Sequence, residues 1–479
     1  MKKILYSVLA VVALLVADIA SAQSRTSYFM EGSYFRTELN PALTPTRGYL
    51  ALPFIGGLGV NWNSNYLSVD NFIYRKNNQL VTALNGAVSP SEFLNRLPNT
   101  GIIHTKEDIN LLSFGFYTQC GKKSVYWTFG LGLHLNAVNT MSKDIFTVLK
   151  TLGNGEYDLG DTYAEATVHS DVYLGAAFPI TDWLTMGTRA KFILGMFNAG
   201  ADFNHLAANV GTDGIDGKLH GDWRANGVLF RNEYIQDGKY TGPMDVTPDT
   251  INFFLDNVKS YGFAVDLGLE ARLFDDTLKL SAGVVDLGFI RWANVTHIGG
   301  QVDGYFTFKG VDVETSEPME PVGGIDTDNI FGLEKYNGYT TLLACSLNVG
   351  AEYNILNNHI AFGLLSHTQF LSKAAYSDLT VSANFRPMNW LTLTLSHTFL
   401  NHNRPGVFGA AINFHPAGLN LYIGLDYIDT NLVTYTNEAF AEGALGRTLY
   451  IPRYAKSLNL NFGLGFNFGR PKHLKEAEN

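Results

Sequence analysis

Long stretches of this chain alternate apolar and polar residues one by one. In the last of them, Ser457–Phe468, Leu or Phe occupies every second position, and Asn or Gly occupies most positions between them. The stretches 124–136 and 164–180 repeat the pattern. Ordinary strands have about five or six residues, whereas a tilted strand that crosses a bilayer needs about 9–11. Alternation over twelve or more residues therefore predicts transmembrane β-strands.

The two faces of these strands differ in the solvent that each tolerates. A face of Leu, Phe and Trp suits acyl chains, and a face of Gly, Asn, Asp and Glu suits a polar lumen. A soluble β-sandwich or barrel is the alternative, but its outer face would carry many Lys and Glu, and charged residues make up only 16% of this chain. Beyond the N-terminal leader, no apolar run approaches the 18 residues that a membrane-spanning helix needs.

Short polar breaks and long connections succeed one another along the chain. The short breaks predict tight turns at Gly121–Lys123, Thr181–Asp182, Asp275–Asp276, Asn357–Asn358, Pro387–Asn389 and Pro416–Gly418. The long connections span 63–107, 138–161, 199–259, 294–338 and 430–456. Short turns on the periplasmic side and long loops outside are typical of an outer-membrane barrel. The predicted fold is thus all-β, a transmembrane antiparallel β-barrel of about 14 strands, with 12 or 16 as alternatives.

The two ends of the chain indicate export to the Gram-negative outer membrane. Residues 1–22 read as a signal peptide, with a basic start, an apolar core and Ala20-Ser21-Ala22 before the cleavage site. The barrel is predicted over 48–469, followed by a polar tail at 470–479. Two Cys residues exclude a disulfide framework, and a net charge of −10 argues against nucleic acid as a partner.

Residues 23–47 lie between the leader and the first strand and lack alternation. Pro41, Pro45 and Gly48 prevent a regular ladder there. A barrel of fourteen strands has a lumen wide enough to leak unless something fills it. We therefore expect this segment to fold back into the lumen as a plug; a disordered periplasmic tail is the alternative.

Two short motifs resemble a known family. Asn40-Pro41-Ala42 resembles the Asn-Pro-Ala signature near the N-terminus of FadL-type long-chain fatty-acid transporters and of their PorV-type relatives in secretion. The segment Ser281–Trp292 is similar to the Asp-Leu-Gly strand of the same group. The resemblance implies a fourteen-stranded barrel with an N-terminal plug, in an uncharacterised branch of that superfamily.

Polar side chains on the lumen face are the candidate site residues. The alternation turns inward Asp171, Arg189, Lys191, Asp266, Glu270, Arg272 and His134. A turn at Thr181–Asp182 places Lys191 opposite Tyr173 and diagonal to Asp171. These charges form either an ion-pair lattice that stiffens the wall or contacts to a ligand or the plug. In the N-terminal segment, Arg36 or Arg47 would dock onto these wall acids, and Asn40, Pro41 and Ala42 are the other candidate plug residues.

Outer loops contain short amphipathic stretches. Ser89–Leu97, Ser142–Leu152 and Pro248–Val258 read as helices capped by Ser or Asp. We expect them to cover the outer mouth, with an apolar cleft lined by Phe93, Phe146, Phe253 and Phe254. The acidic loop residues lack the spacing of a calcium loop, so neither a metal nor another cofactor is expected.

A catalytic role is not expected. Leu-Ser-His-Thr occurs at Leu365–Thr368 and again at Leu395–Thr398. Adjacent strand residues point to opposite faces, so neither Ser is served by the His beside it, and an interfacial role is favoured over a phospholipase.

The preferred hypothesis is an outer-membrane channel or transporter for small hydrophobic molecules, gated by the plug. A structural or secretion-associated barrel whose extracellular loops bind a partner protein is the alternative. Outer-membrane lipid is the expected surrounding in both cases.

Overall fold

The chain forms a closed antiparallel β-barrel in a computed structural model. The structure describes residues 25–76, 79–121, 123–151, 155–158, 160, 162–211, 214–227, 235–236, 239–240, 259–293, 297–308, 334–335, 338–400, 406–428, 432–436, 448–452 and 457–469. The predicted signal peptide, the polar tail, Phe253 and Phe254 therefore lie outside the described residues.

Fourteen strands make up the barrel wall. The first, β1, has two parts, Gly48–Ala51 and Leu58–Ser64. The others are β2 Thr100–Cys120, β3 Lys123–Ser142, β4 Thr162–Pro179, β5 Leu184–Gly211, β6 Ser260–Leu273, β7 Leu278–Arg291, β8 Cys345–Ile355, β9 Ile360–Phe370, β10 Ala375–Met388, β11 Leu391–Leu400, β12 Val407–Phe414, β13 Asn420–Ile428 and β14 Ser457–Phe468.

Each wall strand pairs with its neighbour in the chain, and the last closes on the first. Leu50 of β1 pairs with Phe466 of β14 on one side and with Phe114 of β2 on the other. This closure confirms the predicted barrel of fourteen antiparallel strands. The predicted tight turns lie between strands that pair as hairpins, for example β4 with β5 across Thr181–Asp182.

All five long connections that were expected to be loops contain strands. Gly214–Gly227 pairs with the outer half of β5 and also with His297–Phe308, so the sheet continues beyond the wall. Shorter strands occur at Ile73–Lys76, Gln79–Thr82, Gly155–Asp158, Ile235–Gln236, Lys239–Tyr240, Glu334–Lys335, Thr340–Leu342, Leu432–Thr436 and Thr448–Pro452. The extension was not predicted, because a strand that continues beyond the membrane has the same alternation as one in the wall.

The alternation of each strand separates an apolar exterior from a polar lumen. On β6, Phe263 and Leu267 are 52% and 44% exposed on the outside, while Asp266 and Glu270 point inward at 0% and 3%. Large apolar side chains are likewise exposed on most wall strands. Because acyl chains suit this surface and water does not, the exterior is that of a transmembrane barrel.

Short helices lie before and beside the wall. They are α1 Arg36–Leu39, α2 Val69–Phe72, α3 Pro90–Leu94 and α4 Lys143–Thr151, with a 3₁₀ turn at Arg25–Ser27. The Ser89 hydroxyl caps α3 by accepting a hydrogen bond from the Glu92 amide, as its position predicts. Within the described part of the chain, no helix has the length and apolarity to cross a membrane.

Residues 25–47, the N-terminal segment, lie inside the barrel. Most of their side chains are buried, including Tyr28, Met30, Ser33, Asn40 and Ala42, each 0% exposed. The segment fills the lumen with aromatic as well as charged groups: the Tyr34 ring stacks on the Tyr49 ring of β1 at 4.3 Å between centroids.

Candidate lumenal site

Wall glycines form a seat for Asn40-Pro41-Ala42. Gly187 of β5, Gly268 of β6 and Gly283 of β7 are directly paired across three adjacent strands. A Cβ at Gly187 would come within 2.2 Å of the Pro41 carbonyl carbon, and one at Gly283 within 2.9 Å of the Asn40 side chain. A Cβ at Gly268 would overlap the Asn40 amide oxygen. The seat, defined as these three glycines, thus requires residues without a side chain.

The Asn40 side chain also closes a local turn within the seat. Its amide oxygen accepts a hydrogen bond from the Ala42 backbone N–H at 2.9 Å, and its amide nitrogen donates to the Leu269 carbonyl at 3.3 Å. An Asn side chain that mimics the backbone in this way is favoured before a Pro-containing turn. The predicted plug residues Asn40, Pro41 and Ala42 therefore lie against the wall at one place.

Ion pairs hold the segment elsewhere. The Arg25 guanidinium lies 2.9 Å from the Asp378 carboxylate, with both side chains at most 2% exposed. Glu31 pairs with Lys279, and the Arg386 guanidinium donates to the Phe29 carbonyl at 2.7 Å. Because buried charges need partners, each contact ties the segment to a different part of the wall.

Two arginines link the segment and the wall in opposite directions: Arg36 of the segment contacts the wall, and Arg189 of the wall contacts the segment. Arg36 lies 3.8 Å from Glu270, which also accepts from Arg272 at 3.1 Å. Arg189 of β5 donates to the Thr37 backbone carbonyl at 3.0 Å. The Arg189 guanidinium also lies over the Tyr173 ring, 4.4 Å from its centroid.

A cavity lies in the lumen against β2, β3, β4 and β7. Its volume is about 570 Å³, including space open to solvent. One part of its lining is charged, with Lys106, Asp108 and Asp286; another is apolar, with Leu343 and Leu371. A molecule bound here would contact both kinds of surface.

Alternating charges connect this cavity to the wall beneath it. The Lys106 ammonium lies 3.5 Å from Asp286 and 3.8 Å from Asp108. Asp286 also pairs with Lys191 at 2.5 Å, and Lys191 lies 3.1 Å from Asp266. Asp266 in turn lies 3.5 Å from Arg189. We name Lys106, Asp286, Lys191, Asp266 and Arg189 the charge chain.

His134 lies beside the charge chain between two carboxylates. Its ring nitrogens are 2.6 Å from Asp108 and 3.1 Å from Asp171. The ring stacks on that of His169, 5.0 Å away on the paired strand. Among the residues that the structure describes, no His, Cys, Asp or Glu cluster is suited to hold a metal ion.

The structure thus gathers most of the predicted lumenal residues. Lys191 pairs with Tyr173 in the sheet, as the turn position implied. Arg47 differs from expectation: its guanidinium donates to the Gly469 carbonyl at 3.1 Å and contacts no lumenal acid in the described contacts. Arg47 is the last residue of the segment and directly precedes Gly48, where β1 begins at the rim of the barrel.

The prediction of an apolar cleft at the outer loops is wrong for Phe93. Phe93 is 0% exposed and belongs to a closed core with Tyr66, Tyr74 and Leu97, so it lines no open cleft. Phe146 is half-buried and packs on that core, 6.0 Å from the Phe93 ring. The cause is that α3 and α4 bury their apolar faces against each other.

The two Leu-Ser-His-Thr copies point in opposite directions. His367 faces the lumen and is 2.7 Å from the Asn348 amide oxygen, whereas His397 faces outward between Phe399 and Phe408. Ser and His therefore lie on opposite faces in both copies, as the alternation requires. Only the second His fits the interfacial role that was expected for both.

Several residues at the site were missed by sequence reasoning. They include Lys106, Asp108, Asp286, Glu352, Arg386, Asp378 and Asp426. Most are signalled by a charge at an inward position of an alternating strand. Asp286 gives no such signal, since strict alternation from Ser281 would turn it toward lipid.

The fold and the occupied lumen define the class: a closed fourteen-stranded transmembrane β-barrel with its N-terminal segment inside. The chain belongs to the family of unknown function DUF5723, whose model matches residues 41–426. No curated protein matches it.

Solved structures to which the chain is similar include FadL-type barrels, the group that the sequence motifs resemble. The toluene transporter TodX of P. putida is 9% identical, with 91% of this chain and 95% of that chain covered and a TM-score of 0.36. A FadL homologue of Pseudomonas aeruginosa is 10% identical, with 94% of this chain and 99% of that chain covered and a TM-score of 0.37. The translocator domain of the autotransporter NalP from Neisseria meningitidis is 7% identical, with 94% of this chain and 100% of that chain covered and a TM-score of 0.30.

Proposed function

We propose that this protein is a channel of the Gram-negative outer membrane for small, hydrophobic molecules, and that the N-terminal segment is its plug. The observation that carries the proposal is the position of residues 25–47, which lie buried inside a closed barrel with an apolar exterior. A purely structural barrel would not need a lumen wide enough to require filling.

The cavity supports the choice of substrate. Leu343 and Leu371 give it an apolar side, next to the charged lining of Lys106 and Asp286. A small apolar solute would leave water there and contact these side chains. Passage to the periplasm then requires the segment to move, because it occupies the path below.

Deletion of residues 25–47 tests the proposal. The deleted barrel, folded and reconstituted in planar bilayers, should conduct ions severalfold better than the full chain, and liposomes that contain it should admit a small hydrophobic dye faster. A folded deletion variant with the conductance and dye uptake of the full chain would contradict a plug. β-Sheet circular dichroism that persists on heating in detergent is the control for folding.

A second function has one specific observation in its favour. Strand β5 has 28 residues, far more than the roughly 9–11 that cross a bilayer, and its outer part pairs with Gly214–Gly227. This sheet extends beyond the membrane and offers a surface to a partner protein. A stoichiometric protein that co-purifies from mild detergent and is lost when 203–227 is deleted would favour this function over transport.

A further inference from the structure

Asp286 occupies an irregular position in the wall. Its backbone has φ +62°, in the left-handed region that non-glycine residues rarely adopt. The pairing of β6 with β7 shifts register at this point, between Val265 and Leu267, which marks a β-bulge. Bulges of this kind redirect a side chain and are found next to functional sites.

The bulge decides which way the Asp286 carboxylate points. Ser281, Gly283 and Val285 face the lumen, so a regular strand would turn the next residue toward lipid. With the bulge, Asp286 joins Val285 on the inside, and Leu287 takes the outer face at 52% exposure. A strained residue that is kept in order to direct a charge inward suggests a role for that charge.

The Asp286 carboxylate contacts two lysines, one at the cavity and one in the wall. One oxygen is 3.5 Å from Lys106, which lines the cavity, and the other is 2.5 Å from Lys191, which lies deeper in the wall. The Asp286 backbone N–H donates to Asp266 at 2.8 Å. One residue thus holds the cavity lysine, the wall lysine and the next carboxylate of the charge chain.

The charge chain ends on the N-terminal segment. Asp266 accepts from both Lys191 and Arg189, and Arg189 donates to the Thr37 carbonyl of the segment. If Asp286 lost its charge, Lys191 would retain Asp266 as its acidic partner and draw it from Arg189. Arg189 would then hold the segment less firmly.

We propose that Asp286 is the positioning residue that couples the cavity to the N-terminal segment through Lys191, Asp266 and Arg189. The coupling rests on the proposed plug function. A solute that displaces Lys106 from Asp286 at the cavity changes the grip of Arg189 on the segment, and movement of the segment changes the charge presented to the cavity.

A thiol reporter in the segment tests the coupling. Ser33 is 0% exposed, and Ser33→Cys is close to isosteric; the two native cysteines are replaced by Ser. With this reporter, Asp286→Asn should raise the rate of labelling by a water-soluble thiol reagent about tenfold, as expected when a hydrogen bond to a charged group is lost. Asn tolerates the left-handed backbone, so the bulge is kept.

Glu165→Gln is the matched control. Glu165 lines the same cavity and pairs with Arg224 at 3.1 Å, away from the segment. In the Glu165→Gln variant, the Ser33→Cys reporter should be labelled within about twofold of its rate in the otherwise unchanged chain, because no contact to the segment is lost. Equal rates for Asp286→Asn and Glu165→Gln would overturn the proposal.

A double variant separates coupling from loss of structure. Adding Lys191→Met to Asp286→Asn returns Asp266 to Arg189 and should bring the labelling rate most of the way back. A double variant that labels as fast as Asp286→Asn, or faster, would contradict the coupling. If Asp286→Asn fails to fold, Asp286→Gly keeps the backbone conformation and serves in its place. The readout follows segment position, so it stands apart from the conductance test of the plug.

Discussion

Two parts of the N-terminal segment are held in different ways. Asn40-Pro41-Ala42 fits a seat of three wall glycines, where the contact is one of shape and carries no charge. Arg25 and Glu31 instead form buried ion pairs with Asp378 and Lys279. A close fit between backbones tolerates no added atoms. In a charge network, by contrast, several contacts contribute to the binding free energy, so the loss of one leaves the others in place. We therefore expect the seat to be the more sensitive of the two.

The largest expected effect comes from filling the seat. Gly187→Leu places a side chain where the Pro41 and Ala42 backbone lies, since even a Cβ would be 2.2 Å from Pro41. Overpacking on this scale costs about 3 kcal/mol, so docking of the segment weakens by about a hundredfold or more. Labelling of the Ser33→Cys reporter should rise by that factor.

A glycine on the same strand supplies the control for the seat. A Cβ at Gly200 of β5 would be 3.5 Å from its nearest neighbour, the ordinary contact distance. Gly200→Ala should leave reporter labelling unchanged. If Gly187→Leu labels no faster than Gly200→Ala, shape is not what holds Asn40-Pro41-Ala42.

The sequence predicts one side of this comparison better than the other. Alternation along Ser260–Leu273 correctly turns Asp266 and Glu270 inward, because the apolar face of a strand must meet lipid. The same pattern shows Gly187, Gly268 and Gly283 at inward positions. It does not show that they are paired, since pairing requires the lengths of the intervening turns and bulges.

The partners of charged residues across the lumen could not be predicted from the sequence. Arg25 meets Asp378 over a separation of 353 positions, and nothing local specifies which inward charge lies opposite. The Asp286 bulge was missed for a related reason: its φ depends on register with β6, while its sequence reads as regular alternation. The face of a residue follows from a local period, whereas its partner follows from the whole barrel.

A smaller effect is expected from the ion pairs. Asp378→Asn removes the charge from the buried pair with Arg25, whose nitrogen lies 2.9 Å away. Loss of a charge-assisted hydrogen bond weakens docking by about 1.5 kcal/mol, or roughly tenfold in reporter labelling. Asp276→Asn is the control: Asp276 is half exposed, pairs with Arg272 and should change labelling less than about twofold. An Asp378→Asn effect as large as that of Gly187→Leu would erase the distinction between charge and shape.

The smallest effect is expected from pH, through Glu38 of the segment. Burial raises the pKa of the Glu38 carboxyl above its usual 4.5, and Asp108 adds to this, although Asn110 donates to it at 3.0 Å and opposes the rise. The docked segment therefore takes up a proton, so its docking is firmest below pH 4.5 and weakens as pH rises through the raised pKa. Reporter labelling, normalised to a variant labelled at exposed Cys120 alone, should increase between pH 4.5 and 7.5. Glu38→Gln should remove that increase; if it persists unchanged, Glu38 is not its source.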